Sequence, residues 1–333
     1  MHDEATPRHL QSLFQAPFLD WKRIQVSRLR DSGVVVALVA LFVVLSIVSP
    51  PFFTVRNLKN ILDEWSMQGV MAAALTLLLI SGGFDLSMGA VFALSGVIAA
   101  KVTLHSSAAL GMSAGCLAGL GVGLVNGIIV NVFRINAFVA TLATSIMIAG
   151  GALGITGGLV IYANDPSFAI VGNHGFAGLL YTIWIFIAAV IITAVLLHRT
   201  TFGRYIYAVG GNPEAARLSG LPVGLISTAA FGLSGFAAGI AGVVSASRVS
   251  AGQSDVGGYT LLFDVFAVVV IGGTSIAGGV GAIWRTVVGV FLLALIGNGF
   301  NLLAVDIVYQ DIVFGALILL AVAMDVWGRR GRT

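Results

Sequence analysis

Neither 137–156 nor 223–245 contains a single Asp, Glu, Lys or Arg, and each run is long enough to cross a bilayer. Such runs constrain the fold strongly. A segment in lipid must satisfy every backbone N–H and C=O internally, so it becomes a helix of ~20 mostly apolar residues. Ten stretches qualify, at about 34–49, 67–81, 85–103, 109–132, 137–156, 179–197, 223–245, 262–278, 283–304 and 307–327. The second and eighth are short and interrupted by Gly-Gly. Charged residues make up 9% of the 333, whereas soluble domains carry ~25%. That leaves too little polar surface to cover a globule in water. A soluble enzyme, a disordered chain and a nucleic-acid binder are excluded. The expected fold class is all-α: a polytopic membrane protein with about ten transmembrane helices.

The basic residues carry topology information. With alternating spans and the N-terminus inside, Arg56, Lys59, Lys101 and Arg248 face out, and the other 13 of the 17 Lys and Arg face in. This is the positive-inside bias, and it places both termini in the cytoplasm. Residues 1–33 hold Asp3, Glu4, Asp20 and Asp31, and no small-residue cleavage site follows the first apolar run. They read as an uncleaved cytoplasmic segment with an amphipathic helix around 18–29, not as a signal peptide. Residues 34–327 form the transmembrane domain and 328–333 a basic cytoplasmic tail. The long loops are 157–178 outside and 198–222 inside, and long loops in compact bundles carry function.

Glycine, at 43 residues, is about twice the usual ~7%. Gly115, Gly119, Gly123 and Gly127 recur every four residues in the fourth span, and Gly235 and Gly239 do so in the seventh. Small faces of this kind allow close helix packing, either within the subunit or between two subunits. The single cysteine, Cys116, reads as a small buried hydrophobe.

Catalytic inventories fail. Gly232-Leu233-Ser234-Gly235 matches the G-x-S-G of intramembrane serine proteases, yet none of His2, His9, His105, His174 or His198 falls within a span. A P-loop needs Gly-Lys, and Lys22, Lys59 and Lys101 follow Trp, Leu and Ala. Asp85, Asp264, Asp311 and Asp325 fall near span ends, so no charge is expected at a span centre, and an ion-driven transporter is disfavoured.

Within the inner loop, 212–220 carries nearly every helix-end signal: Asn212 as cap, Pro213 at the first helical position, Glu214 at the positive end of the dipole, Gly220 as left-handed stop. Ala215 and Leu218 share a face. Two turns cannot be stable alone in water. The segment is either a solvated turn or a rigid knob offered to a cytoplasmic partner.

These residues resemble the cytoplasmic coupling segment of the permease subunits of ATP-binding-cassette importers for simple sugars, the ribose-, xylose- and galactose-type permeases. The likeness extends to Ser81-Gly82-Gly83-Phe84-Asp85-Leu86-Ser87-Met88-Gly89, to Asn126-Gly127, to Phe138-Val139-Ala140-Thr141-Leu142, and to Ser250-Ala251-Gly252-Gln253, Val270-Ile271-Gly272-Gly273-Thr274-Ser275 and Ala277-Gly278-Gly279. It covers roughly 35–327. Asn136-Ala137, Leu262-Phe263-Asp264 and Trp284-Arg285 depart from the family pattern.

The resemblance implies a multi-pass protein of the bacterial inner membrane with ABC-importer permease architecture, working with ABC ATPase subunits, a solute-binding protein and a second permease copy. No nucleic acid is involved. ATP and Mg belong to the partner ATPase, and no cofactor is expected on this chain. The coupling residues are Asn212, Pro213, Glu214, Ala215, Ala216, Arg217, Leu218, Ser219 and Gly220. The loops 157–178 and 246–261 are expected to face the binding protein. An uncharged pore suits a neutral, hydroxyl-rich solute, with Asn126, Asn136, Phe138, Thr141 and Ser145 as pathway candidates; helix packing is the alternative for each. Gly82, Gly83, Asp85 and Ser87 form a structural turn in which Asp85 caps the third span at the cytoplasmic side, with substrate contact as its alternative role. An ABC permease for branched-chain amino acids or nucleosides, and a secondary transporter or facilitator independent of an ATPase, are the alternatives.

Overall fold

The computed structural model describes residues 20–330, with side chains described for 33–320, 322 and 323. The amphipathic segment expected around 18–29, the basic tail, His2, His9 and Asp325 lie wholly or partly outside the described residues. Ten helices correspond to the ten expected spans: α1 (Asp20–Val48), α3 (Ser66–Ile80), α4 (Met88–Thr103), α5 (Ala108–Asn131), α6 (Ala137–Thr156), α8 (Tyr181–Arg199), α11 (Val223–Val249), α12 (Gly258–Ile271), α13 (Ile283–Leu302) and α14 (Ile307–Arg330). Among the described residues, α5, α6, α8, α11 and α13 are each long and apolar enough to cross a membrane; α3, α4 and α12 are shorter apolar helices, and α1 and α14 contribute the apolar stretches Gly33–Val48 and Ile307–Leu320. The fold is a polytopic helical membrane bundle.

The short spans are explained by where they stop. At 1.5 Å per residue, the 15 residues of α3 rise about 22 Å and the 14 of α12 about 20 Å, while α11 with 27 runs about 40 Å. The hydrocarbon core is ~30 Å thick. α3 and α12 therefore end inside the bundle, at glycine-rich breaks spanning 81–87 and 272–282, and α4 and α13 resume from there.

Two helices lie where loops were expected, α2 (Val55–Glu64) and α9 (Thr201–Gly211). Each has a threonine cap: Thr54 accepts from Asn57 N–H and Thr200 from Gly203 N–H. Both are amphipathic and too short to register as spans. α9 occupies the space beneath the end of α3, and α10 (Pro213–Leu218) follows it. The 157–178 segment is structured as well. It contains β1 (Ile161–Tyr162), a 3-10 turn, α7 (Ile170–Asn173) and a hairpin of β2 (Gly175–Phe176) with β3 (Leu179–Leu180).

The two glycine faces read from the sequence are opposite sides of one contact. A Cβ on Gly119 would collide with Gly235 carbonyl, on Gly123 with Phe231 carbonyl, and on Gly127 with Thr228. α5 and α11 thus approach backbone to backbone within the chain, which leaves the between-subunit reading of these faces without room. Gly115 meets Ser95 of α4 in the same way. The main core fills the space between α3, α4, α11, α12 and α13, with Met71, Leu75, Leu78, Val91, Phe231, Leu262 and Leu293 buried.

Charge depth needs correction. α12 begins at Gly258, earlier than the expected 262, so Asp264 lies at its middle and not near its end. Asp85 is fully buried and bonded to Ser234, residue 12 of 27 in α11. Two carboxylates therefore sit at depth where none was expected. Asp311, five residues into α14, does lie near a helix end.

Candidate functional site

Four features lie around the break after α3: a buried polar hub, a cavity, a glycine joint and a protruding helix.

The hub forms because the 81–87 break leaves backbone groups that no helix satisfies. Gly82 takes a left-handed φ of +83°, which turns the chain away from α3. Asp85 then accepts from Ser87 N–H at 2.9 Å, Ser87 Oγ–H at 2.6 Å and, across to α11, Ser234 Oγ–H at 2.7 Å. Asn126 of α5 donates to Ser87 Oγ at 2.8 Å. Thr141 of α6 accepts from Leu86 N–H at 3.0 Å and donates to the Ala137 carbonyl at 2.7 Å. Asp85, Ser87, Asn126, Thr141 and Ser234 are all buried. A carboxylate in such a place is stable only when paired or fully hydrogen-bonded. This one ties the start of α4 to α5 and α11. Its Ser87 bond is a turn just before α4; the tie to α11 goes beyond a helix cap. Ser234, the serine of the G-x-S-G match, is committed to Asp85.

The cavity measures about 300 Å³ and lies between α4, α6 and the segment 254–259, with Leu86, Ala90, Ser145, Ala149, Ser254, Asp255 and Tyr259 among its walls. Its position follows from a dip in the chain. After α11 ends at Val249, β4 (Ala251–Gly252) pairs with β1, Ile161 opposite Gly252 and Tyr162 opposite Ala251. Beyond β4 the chain folds back along α4, and at Gly89 an added Cβ would collide with Gly258 carbonyl. Ser254 reaches Thr156, at the end of α6, at 3.1 Å. The two loops expected to share a face are therefore joined by backbone pairing. The second of them also enters the bundle.

The walls mix apolar surface with two serines, a carboxylate and a tyrosine ring. Asp255 and Tyr259 are exposed on the chain's own surface. Asp255 places a carboxylate among the walls of this cavity.

The pathway candidates separate. Ser145 lines the cavity. Phe138 is half exposed, its ring 5.9 Å from that of Phe84, which in turn lies 4.5 Å from Phe266. Asn136 caps α6, accepting from Phe138 N–H at 2.9 Å. Asn126 and Thr141 belong to the hub.

The joint consists of three glycine pairs. Gly279 N–H donates to the Ile80 carbonyl at 2.8 Å. A Cβ on Gly278 would sit 2.9 Å from Gly210 carbonyl and 3.1 Å from Gly82 Cα, and one on Gly279 3.1 Å from Gly211 Cα. Gly210 is closest of all, since its Cβ would overlap the Ile80 carbonyl oxygen. Tyr207 Oη–H donates to the Gly281 carbonyl at 2.7 Å. The ends of α3 and α9 and the turn before α13 thus touch at backbone distance.

α10 projects from this joint. Asn212 Oδ1 accepts from Ala215 N–H at 3.0 Å, Pro213 opens the helix, Ser219 Oγ–H donates to Ala215 carbonyl at 2.9 Å, and Gly220 closes it at φ +82°. Arg217 grips Glu214 through one nitrogen at 2.7 and 2.8 Å. Exposed pairs like this are worth only ~0.3–0.5 kcal/mol, so its effect is to fix shape more than to add stability. Ala216 is buried toward the bundle, while Leu218 is 81% exposed.

Ser254, Asp255 and Tyr259 escaped sequence reasoning, as did the bond of Ser234 to Asp85. Asp255 stood in a segment read as an outer loop, and the one hint of close approach was the pair Gly257-Gly258.

Comparison with known proteins adds a second line. The family described as branched-chain amino acid transport system / permease component matches residues 57–322. The chain is 38% identical over 303 residues to the ribose import permease protein RbsC of Escherichia coli strain K12, covering 89% of this chain and 94% of that protein. To the L-arabinose ABC transporter permease protein AraH of Azospirillum brasilense it is 38% identical over 304 residues, covering 90% and 89%. To the ribose import permease protein RbsC of Bacillus subtilis strain 168 it is 36% identical over 297 residues, covering 88% and 92%. No solved structure matches it. The names agree with the resemblance drawn from the motifs.

Proposed function

The chain belongs to the family of branched-chain amino acid transport system / permease components, and from that premise we propose that it builds half of the inner-membrane pathway of an ATP-driven importer for a neutral simple sugar. The observation that carries the proposal is the cavity between α4, α6 and 254–259. Its serines, carboxylate and tyrosine can hydrogen-bond and stack a polyhydroxylated ring, and its apolar walls keep the hold weak. Ser145, Asp255 and Tyr259 contact the sugar. Phe138 flanks the route. Asn126 and Thr141 keep the hub rigid, and Asn136 fixes the start of α6.

The family description names branched-chain amino acids, and Asp255 has the charge to pair with an ammonium group. The relatives favour a sugar, because those at 36–39% identity are named for ribose and L-arabinose.

The rest of the machine follows from surface chemistry. Residues 34–327 are the permease domain, with both termini cytoplasmic as the basic bias indicates. α10 seats in a cleft of a partner ATPase: Leu218 anchors it, Glu214 and Arg217 hold its shape, and rigid-body movement passes through the glycine joint to the break at 81–87. The paired loops 157–178 and 251–252 present one platform to a solute-binding protein. A second permease copy faces the exposed side of α6 and the open side of the cavity.

Solute class is tested by mixing the purified transporter with its cognate binding protein, loaded with a pentose or with leucine, and measuring stimulation of ATP hydrolysis. Stimulation by the pentose-loaded protein supports the sugar reading, with Asp255→Asn lowering uptake on the order of tenfold. Stimulation by the leucine-loaded form alone would overturn it.

A further inference from the structure

A separate opening lies away from the pathway and the knob. A cavity of about 500 Å³ opens between α1, α2 and α13, walled by side chains such as Leu38, Val39, Phe42, Ile61, Leu62 and Leu295. Among the described residues, no polar side chain lines it. A buried water needs two to four polar partners, so this space does not suit water.

α2 forms one edge. Leu58, Ile61 and Leu62 fall at i, i+3 and i+4 and turn into the cavity; exposed Lys59 stands at its edge, one turn before Leu62, and exposed Arg56 lies one turn before Lys59. The helix is pinned in this attitude. Asn57 and Asn298 of α13 exchange side-chain bonds at 3.0 and 2.9 Å, and Asp63 at the far end holds Arg248 at 2.7 Å and the Thr182 hydroxyl. Among the described residues neither Arg56 nor Lys59 is in an ion pair.

We propose that this is a binding site for one anionic glycerophospholipid, with an acyl chain in the cavity and its phosphate between Arg56 and Lys59. In a chain that spans a bilayer, an apolar opening beside an amphipathic helix meets acyl chains. Basic residues on such a helix select anionic headgroups. A protein helix is a poor occupant, because close helix contact uses small residues and this wall is built of Leu, Val, Ile and Phe. The lipid site does not depend on which solute the pathway carries.

The full-length protein in phosphatidylcholine nanodiscs is titrated with phosphatidylglycerol, and retained lipid is read by native mass spectrometry. Wild type retains phosphatidylglycerol over phosphatidylcholine on the order of tenfold, as two basic residues near a headgroup provide. Arg56→Gln with Lys59→Gln abolishes that preference yet still holds a lipid. Val39→Trp, which fills the cavity, releases both lipids. If Val39→Trp fails to insert, the double glutamine variant, whose changes are exposed, decides alone. Equal retention of the two lipids by wild type, or a polypeptide photocrosslinked at Val39 in place of lipid, overturns the proposal.

Discussion

Replacing Gly210 by alanine tests the joint between α9, the end of α3 and the turn before α13. The added Cβ overlaps the Ile80 carbonyl oxygen and lies 2.7 Å from Gly279 N. Both neighbours are backbone, so no side-chain rotation relieves the clash, and α9 must shift as a body. Two effects compete. Alanine in a helix interior gains up to ~1 kcal/mol over glycine, while forcing atoms into a filled site costs about 1–3 kcal/mol. The clash wins, for a net loss of roughly 1–2 kcal/mol. Gly211→Ala is the matched control, since nothing lies within 4 Å of its added Cβ. Thermal unfolding in detergent should fall by a few degrees for Gly210→Ala and stay level or rise for Gly211→Ala. Uptake per inserted molecule should drop for the first only, because α10 then rests on a displaced α9. If the two variants behaved alike, the backbone contact would be wrong, and with it the route from α10 to the 81–87 break.

Three further predictions follow from the same geometry. Ser234→Ala removes one donor from a buried carboxylate, so it should cost about 1.5–3 kcal/mol in thermal unfolding; a shift no larger than that of exposed Ser113→Ala would contradict the hub. Gly123→Val drives a side chain into the Phe231 carbonyl and should lower stability by at least ~1–3 kcal/mol, whereas Gly121→Ala, with nothing within 4 Å, should be tolerated. On the 157–178 segment, the Asp165 carboxyl is held below its usual value of 3.8 by the Ser167 hydroxyl, then by the N–H groups of Ser167 and Ala108. A lowered carboxylate stabilises above its unfolded pKa and loses that contribution as pH falls through the folded one. Hydrogen exchange at Ala108 should therefore stay protected in mild acid and open only below that range; loss of protection in mild acid would refute the cap.

The sequence made the spans legible because lipid tolerates few alternatives to a long apolar helix, and all ten expected stretches became helices. α10 was legible for a local reason. Asn212, Pro213, Glu214 and Gly220 act within two turns of one another, so these helix-end signals are local, while the packing of Ala216 on the bundle holds so short a helix in place. What stayed hidden depends on contacts between distant parts of the chain. α2 and α9 are short and amphipathic, so no long apolar run announced them, and a single threonine cap on each was not a sufficient signal. The run Val268-Val269-Val270-Ile271-Gly272-Gly273 drew the eighth span toward its C-terminal side, which put Asp264 at an edge and left Asp255 in a loop. Only the close approach of Gly89 and Gly258 brings 254–259 alongside α4. The pairs Gly82-Gly83, Gly210-Gly211 and Gly278-Gly279 each read as local punctuation, and their meeting is a property of the fold. Asp85 was read as a cap, and it does accept Ser87 N–H; its bond to Ser234 links residues 149 apart.

The most direct measurement is sugar uptake into proteoliposomes containing the full-length permease, its ATPase and its binding protein, with ATP inside or outside the lumen side that the ATPase faces. Uptake should require ATP on the ATPase side and the binding protein on the other, should survive collapse of ion gradients, and should vanish when Leu218→Asp is combined with Arg217→Ala in a permease that still inserts. Uptake that continues without ATP, that collapses with a proton or sodium gradient, or that survives loss of the α10 knob would contradict the account.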